Sequence, residues 1–265
     1  MSEKREGRQR VEPVRGSSLF TPGTVALVTG SSRGIGAAIA LELAAEGAHV
    51  VVTYKRNEQS AKDVATRIDH LGGTSSVYPA DVCDRESLRA LFRSVKGELG
   101  RIDVVVSNAG IVRDGFMANM SVAKFDSVIE TNLRGSFLCC QEALRTMANQ
   151  RSGSIVTVAS TAAVVGSMGQ ANYCAAKAGV VAMTRTLALE AAKYGVRANV
   201  VLPGFVDTDM FKVLPVAARG KAEGEIPMSR LGEPAEVARV VAFVASDRAA
   251  YMTGTSVIVD GGLTA

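Results

Sequence analysis

The sequence has no tryptophan, few other aromatic residues (5% in all), four cysteines and two histidines among 265 residues. So few rings give little surface on which nucleic-acid bases could stack. Cys83, Cys139, Cys140 and Cys174 contain no CxxC spacing, and only His49 and His70 could join them, so no metal site is expected. The adjacent Cys139 and Cys140 suit a buried helix in a reducing compartment. Apolar runs long enough to cross a bilayer are missing, and the N-terminus is too polar for a signal peptide. A cytoplasmic protein with no membrane partner is the expectation. A strong charge of one sign is also lacking. Of the net +4, residues 1–20 carry +2, from Lys4, Arg5, Arg8, Arg10 and Arg15 against Glu3, Glu6 and Glu12. The nearly neutral remainder gives no electrostatic case for a nucleic-acid partner.

What is present is core-forming material, 47% hydrophobic, with 26 glycines. Residues 1–20 are charged and aperiodic and read as a disordered leader. From Thr24 onward, short β-branched runs alternate with helix-like stretches. Strands are expected at 25–29, 50–54, 75–79, 103–107, 154–160, 196–202 and 256–259. Helices are expected at 37–47, 57–71, 86–98, 121–149, 171–194 and 233–246. Such alternation predicts an α/β fold, a doubly wound parallel sheet covered by helices on both faces. No linker divides residues 21–265, so one domain is predicted. Residues 205–228, broken by glycine and proline, read either as a mobile flap or as an ordinary irregular connection.

Between the first strand and the first helix lies Gly30-x-x-x-Gly34-x-Gly36. Here Gly30 permits a tight turn, Gly34 a close approach to phosphate, and Gly36 close packing of the helix. The helix N-terminus offers free N–H groups to a pyrophosphate. About 20 residues onward, where an acid commonly binds the adenosine ribose, the second strand runs instead into Lys55 and Arg56. With Arg33 in the glycine loop they suit a 2′-phosphate, which favours NADP(H) over NAD(H).

Tyr173 and Lys177 stand four apart in a helical stretch and so share a face. Ser160, thirteen residues before the tyrosine, closes an apolar strand at the sheet edge where ligands bind. Ketone reduction needs a hydride on carbon and a proton on oxygen. A free tyrosine titrates near ~10, and a neighbouring ammonium draws that value down. Ser160 would hold the oxygen as charge develops.

These motifs resemble the short-chain dehydrogenase/reductase family. The match rests on Thr29-Gly30-x-x-x-Gly34-Ile35-Gly36, Asn108-Ala109-Gly110, Asn132, Ser160, Tyr173-x-x-x-Lys177 and Pro203-Gly204, spread across 24–262. The resemblance implies a Rossmann-type seven-stranded sheet. It makes Tyr173 the general acid or base, Ser160 the oxyanion partner, and Lys177 the ribose ligand that tunes Tyr173. Asn132 would hold a water connecting Lys177 to solvent. Cofactor contacts would come from Gly30, Ser32, Arg33, Gly34, Ile35 and Gly36, and from Asp81-Val82 at the adenine. The turn Asn108-Ala109-Gly110, then Pro203, Gly204, Val206 and Thr208 at the nicotinamide end, would complete them.

Within the family, Asn108–Asp114, Gln170–Tyr173, Pro203–Met210, Arg230–Val237 and Tyr251–Gly262 resemble the beta-ketoacyl-acyl carrier protein reductases. This implies NADPH-dependent reduction of a 3-oxoacyl thioester to the (3R)-hydroxyacyl product, and a homotetramer paired through the helices at 121–149 and 171–194. Arg151 keeps one basic position of the branch's carrier-protein surface, whereas Tyr194, beside Lys193, stands where arginine occurs. Ser107 replaces a commoner asparagine. A polyketide or other small-ketone reductase is the enzymatic alternative, although Arg113-Asp114-Gly115 lacks the extra glycines of aromatic-pathway members. A non-catalytic NADP(H)-binding regulator is the alternative from another class. Substrate choice is assigned to 111–120, 161–169 and 205–228.

Overall fold

The computed structural model describes residues 18–212, 220 and 223–265. One sheet holds β1 (Val25–Val28), β2 (His49–Tyr54), β3 (Thr74–Pro79), β4 (Val104–Ser107), β5 (Gly153–Val158), β6 (Val196–Pro203) and β7 (Ser256–Val259). Their order is β3-β2-β1-β4-β5-β6-β7, and every pairing is parallel. All seven expected runs are therefore strands. The central ones, such as β1 (VALV) and β4 (VVVS), are buried along their whole length, as expected of strands covered on both faces.

The connecting helices are α1 (Gly34–Ala45), α2 (Glu58–His70), α3 (Arg85–Leu99), α4 (Val122–Val128), α5 (Gly135–Gln150), the single turn α6 (Ala162–Val165), α7 (Ala171–Ala191), the short α8 (Asp209–Lys212) and α9 (Pro234–Ala245). On one face of the sheet, α1, α2 and α9 bury Ile39, Leu43, Val64, Ile68, Val237 and Val241. On the other, α3, α5 and α7 bury Leu88, Phe92, Leu138, Met147 and Leu187. Helix α3 shows the local logic. Asp84 caps its start through Glu86 N–H at 2.9 Å, and Gly100 ends it in the left-handed region at φ 79°. Leu88, Leu91, Phe92 and Val95 form its buried stripe.

Two expectations change. The helix predicted over 121–149 is interrupted by a π-helical stretch, Ile129–Arg134. The extra residue per turn carries Asn132 inward, and Gly135, where a Cβ would lie 2.9 Å from Val82 Cγ2, lets the next turn close on its neighbour. The leader expected over 1–20 has residues 1–17 outside the described residues, but its last residues belong to the domain. Phe20 is buried, its N–H donates to the Glu46 carbonyl, and Leu19 N–H donates to the Glu46 carboxylate at 2.8 Å. The segment 205–228, read as a flap, a short helical excursion or an irregular connection, has its central part, 213–219 and 221–222, outside the described residues. Its start is tied down by a bridge between Val206 and Gly232.

Arg197 on β6 joins three elements. Its guanidinium donates to the carbonyls of Val244, Ala245 and Ser246 at the end of α9, and to that of Met252, at 2.9–3.2 Å. The first three are carbonyls that a helix C-terminus leaves without intrahelical partners. Replacing it by methionine, Arg197→Met, should lower unfolding stability by about 3 kcal/mol. Chemical denaturation at fixed protein concentration measures this, and an unchanged midpoint would show that water substitutes for the guanidinium.

Candidate active site

The carboxyl edge of the sheet is assembled where β1 and β4 lie side by side, which is where the winding of the connections reverses. Thr29 follows β1 directly and is fully buried. Its hydroxyl donates to the Val106 carbonyl and accepts the N–H groups of Asn108 (3.0 Å) and Ala109 (3.2 Å). Asn108 answers with its side-chain amide, donating to the carbonyls of Thr29 (3.0 Å) and Gly30 (3.2 Å). This contact specifies two glycines. A Cβ on Gly30 would lie 2.9 Å from Ala109 Cα, and one on Gly36 would lie 2.3 Å from the Gly30 carbonyl and 2.4 Å from Asn108 Nδ2. Gly36 is thus needed by the Asn108 turn as much as by helix packing.

The loop is also moored to β2. Ser31 Oγ donates to the Val28 carbonyl and accepts Thr53 N–H, both at 2.8 Å, while Gly30 N–H donates to Thr53 Oγ1 at 3.1 Å. The residues present fit a dinucleotide pyrophosphate. Helix α1 has no acidic residue in its first turn, and Arg33 at its N-cap makes no side-chain capping bond. At Gly34, with φ +56°, a Cβ would point into open space, with Thr208 Cγ2 the nearest atom at 3.9 Å. That is room for a ligand at a helix N-terminus whose amides face it. Ser32 and Ile35 flank this opening and are half-buried.

Arg33, Lys55 and Arg56 are exposed at this end of the edge. Lys55 Nζ sits 2.7 Å from Asp81 Oδ2. Burial opposes the Asp81 charge, but Lys55 and the Cys83 N–H, which donates to Oδ1 at 3.0 Å, hold its carboxyl below the usual range. Its neighbour Val82 is turned into the core against Gly135.

At the other end, Ser160 lies just beyond β5. The flanking bonds from Ala159 N–H to the Val201 carbonyl and from Thr161 N–H to the Pro203 carbonyl continue the ladder past the strand. The Ser160 hydroxyl, whose Oγ accepts Ala162 N–H at 3.2 Å, is set beside the phenol of Tyr173, on the first turn of α7, and favours the charged form of that phenol. One turn on, Lys177 is buried, with Nζ donating to the Val158 carbonyl at 2.7 Å and lying 5.7 Å from the Tyr173 ring centroid. Burial pulls the lysine down to about 8. It pushes the tyrosine up to about 12, with Ser160 acting in the opposite direction. Burial thus sets the direction at both groups, upward for the phenol where the ammonium was expected to act downward.

Asn132 is fully buried. Both side-chain amide atoms are engaged by Ile111, whose N–H donates to Oδ1 at 2.8 Å and whose carbonyl accepts from Nδ2 at 2.9 Å. Its own carbonyl accepts Ser136 Oγ at 2.7 Å. The side chain therefore fixes the segment after Gly110. A Cβ on Gly110 would lie 3.3 Å from Asn132 Oδ1 and 3.7 Å from Lys177 Nζ, so the three residues meet. Pro203 and Gly204 complete the wall, Gly204 passing so close to Asp260 that a Cβ would come within 2.7 Å of its Cβ. Val206 is buried and Thr208 half-buried. Ser31 and Thr53 escaped the sequence reading, since short polar residues at strand ends carry no pattern. Among the described residues, no cluster of potential metal ligands occurs and no helix is long and apolar enough to cross a membrane.

Fold and site together define a class, the oxidoreductases that take a nicotinamide dinucleotide at the carboxyl edge of a parallel sheet. The comparisons narrow it. A family model described as Enoyl-(Acyl carrier protein) reductase matches residues 30–264. Similar proteins include one from Staphylococcus aureus (strain MW2), named 3-oxoacyl-[acyl-carrier-protein] reductase FabG, 43% identical over 90% of this chain and 97% of its own. Proteins of the same name from Staphylococcus epidermidis (strain ATCC 12228 / FDA PCI 1200) and Salmonella typhimurium are 42% and 41% identical, covering 90% and 91% of this chain and 98% and 97% of their own. The chain belongs to the short-chain dehydrogenase/reductase family.

The glycine geometry generates a test. Gly36→Ala forces the new methyl into the Gly30 carbonyl and the Asn108 amide. It should cost about 2 kcal/mol of stability and weaken binding of the reduced nicotinamide cofactor at least about tenfold. Fluorescence titration measures the second effect, and unchanged affinity would mean that the turn yields without consequence for the cofactor.

Proposed function

We propose that the protein is an NADPH-dependent 3-oxoacyl-acyl carrier protein reductase of fatty-acid synthesis, one catalytic domain acting in the cytoplasm as a homotetramer. The observation that carries the reading is the pairing of the Ser160 hydroxyl with the Tyr173 phenol above a buried Lys177, beside the Asn108–Gly110 turn. A serine hydroxyl and a phenol set side by side suit a carbonyl oxygen that must be held and then protonated. The bound cofactor supplies the hydride. Tyr173 delivers its proton to the ketone oxygen, and a phenol at about 12 still carries that proton at neutral pH. Ser160 holds the same oxygen. Lys177 binds the nicotinamide ribose and faces the phenolate left behind, while Asn132 fixes Ile111 and with it the wall behind the cofactor.

The names of the relatives support a 3-oxoacyl thioester carried on acyl carrier protein. The family model's description names an enoyl substrate instead. Reducing a C=C bond leaves the second proton on carbon, for which a paired oxygen-binding site is less suited. For the carrier, Arg151 and Lys193 both lie over the Tyr194 ring, at 5.8 and 5.1 Å, and bring two cations together where the branch has basic residues. Phe125 on α4, Phe137 on α5 and Leu189 on α7 are exposed apolar side chains, as are Tyr251 and Ile258 near the C-terminus, and they suit the two contacts of a tetramer.

Purified protein mixed with NADPH and a short 3-oxoacyl thioester should consume NADPH, and an enoyl thioester of equal length should be a poor substrate. Tyr173→Phe should remove turnover while leaving NADPH affinity nearly intact. Preference for the enoyl compound would overturn the substrate, and strong activity of the variant would overturn the acid. For the cofactor, Lys55→Ala combined with Arg56→Ala should weaken NADPH much more than NADH, by about tenfold or more. Equal losses in paired titrations would place the 2′-phosphate elsewhere.

A further inference from the structure

Asp114, in the segment after β4, takes no part in the roles above. Its carboxylate accepts from Gln170 Nε2 at 3.1 and 3.3 Å, across 56 positions of chain. Two neighbouring bonds run between the same segments. Gly115 N–H donates to the Gly169 carbonyl at 2.8 Å, and Asn172 Nδ2 donates to the Arg113 carbonyl at 2.9 Å. Asn172 Oδ1 then accepts the N–H of Tyr173 at 2.8 Å. Lys124 on α4 steadies the near side, its Nζ donating to the Asp114 carbonyl at 3.2 Å.

The far side needs such restraint. The chain entering α7 passes through Gly166 and Gly169, with φ of 76° and 77°. Gln170 occupies the N-cap of α7 yet makes no capping bond with its side chain, which is directed to Asp114 instead. The start of the helix that carries Tyr173 is thus held by bonds to the segment after β4.

We propose that Asp114 is a positioning residue for Tyr173: with Gln170 it clasps the segment after β4 to the start of α7 and sets where the phenol stands. The proposal rests on the reading of Tyr173 as proton donor. Asp114 also contributes its charge. The groups that face the phenol are Ser160 from beyond β5, Cys174 and Lys177 from α7 itself, and Asp114 from beyond β4. After burial, the carboxylate is one of the influences that keep the phenol protonated. Lys124 and Gln170 favour the charged form of Asp114, while burial opposes it more strongly.

Two variants separate the hydrogen bond from the charge. Asp114→Ala removes both, whereas Asp114→Asn keeps an acceptor for Gln170. With NADPH and a short 3-oxoacyl thioester, Asp114→Ala should lower kcat about ten- to a hundredfold, with NADPH affinity within about twofold of the parent. Asp114→Asn should recover most of kcat near neutral pH. In the reverse reaction, with a 3-hydroxyacyl thioester and NADP, the Asn variant should reach its high-pH plateau at lower pH, because loss of the negative charge eases phenolate formation. Amide hydrogen exchange over residues 166–173 gives a readout independent of turnover, faster in the Ala variant and close to the parent in the Asn variant. Unchanged exchange in Asp114→Ala overturns the clasp, as does full kcat in that variant. If the parent protein turns over no ketone, the functional reading fails, and the exchange data alone decide the clasp.

Discussion

One buried hydroxyl holds the two halves of this sheet edge in register. Thr29 has no exposed surface, and its side chain bonds the Val106 carbonyl and the amides of Asn108 and Ala109. In a sheet ordered β3-β2-β1-β4-β5-β6-β7, the loops leaving β1 and β4 diverge and open a crevice between them. A crevice needs a floor that does not spread. Thr29 supplies it, and the reciprocal bonds from Asn108 bring the glycine turn close enough that neither Gly30 nor Gly36 has room for a side chain. Without that hydroxyl, two partly buried amides would lose their acceptor, each at a cost of up to about 1–3 kcal/mol.

The electrostatics of the candidate catalytic pair follow from the same enclosure. Burial disfavours the charged form of both groups, which is why the phenol rises to about 12 while the lysine falls to about 8. For a proton donor this is the useful resting state, because the proton stays in place until a base appears. The ammonium acts afterwards. In the mechanism proposed above, loss of the proton would leave a phenolate beside a cation that also donates to the Val158 carbonyl. Stabilisation that grows as the reaction proceeds is the kind that accelerates it. The tyrosine is therefore assisted in the state that forms, and its resting titration is a poor guide to its role.

The parts of this arrangement that could be read from the sequence are those with a period or a fixed spacing. The strands announce themselves as β-branched runs because a parallel sheet covered on both faces leaves no polar alternation. The glycine turn and the Tyr173–Lys177 pair lie within single local segments. What could not be read depends on partners distant in the chain. The π-helical stretch at Ile129–Arg134 looks like ordinary helix, since only the meeting of Asn132 with Ile111 and of Gly135 with Val82 gives the extra residue a purpose. Ser31 and Thr53 are short polar residues whose use appears only when β1 lies beside β2. Phe20 is a single aromatic with no periodic neighbour, so its burial against the domain left no trace in the composition of the leader.

The proposed preference for NADPH is compatible with an ion pair already formed at the basic end of the crevice. Lys55 contacts Asp81 at 2.7 Å, with side-chain exposures of 49% and 33%. A pair so open to water is worth about 0–1 kcal/mol. A 2′-phosphate brings up to two charges and several acceptor oxygens, and a charge-assisted bond to it is stronger than the contact it displaces. Asp81 would not be stranded by the exchange, because the Cys83 amide still donates to its carboxylate. The pair thus orients Lys55 across the sheet edge at little cost in binding, and the same carboxylate holds the Cys83 amide in the loop after β3. A cofactor lacking the phosphate would have to reach its ribose past Lys55 and Arg56, with nothing to offer either cation. On that proposal, discrimination comes from what those side chains gain and requires no steric block.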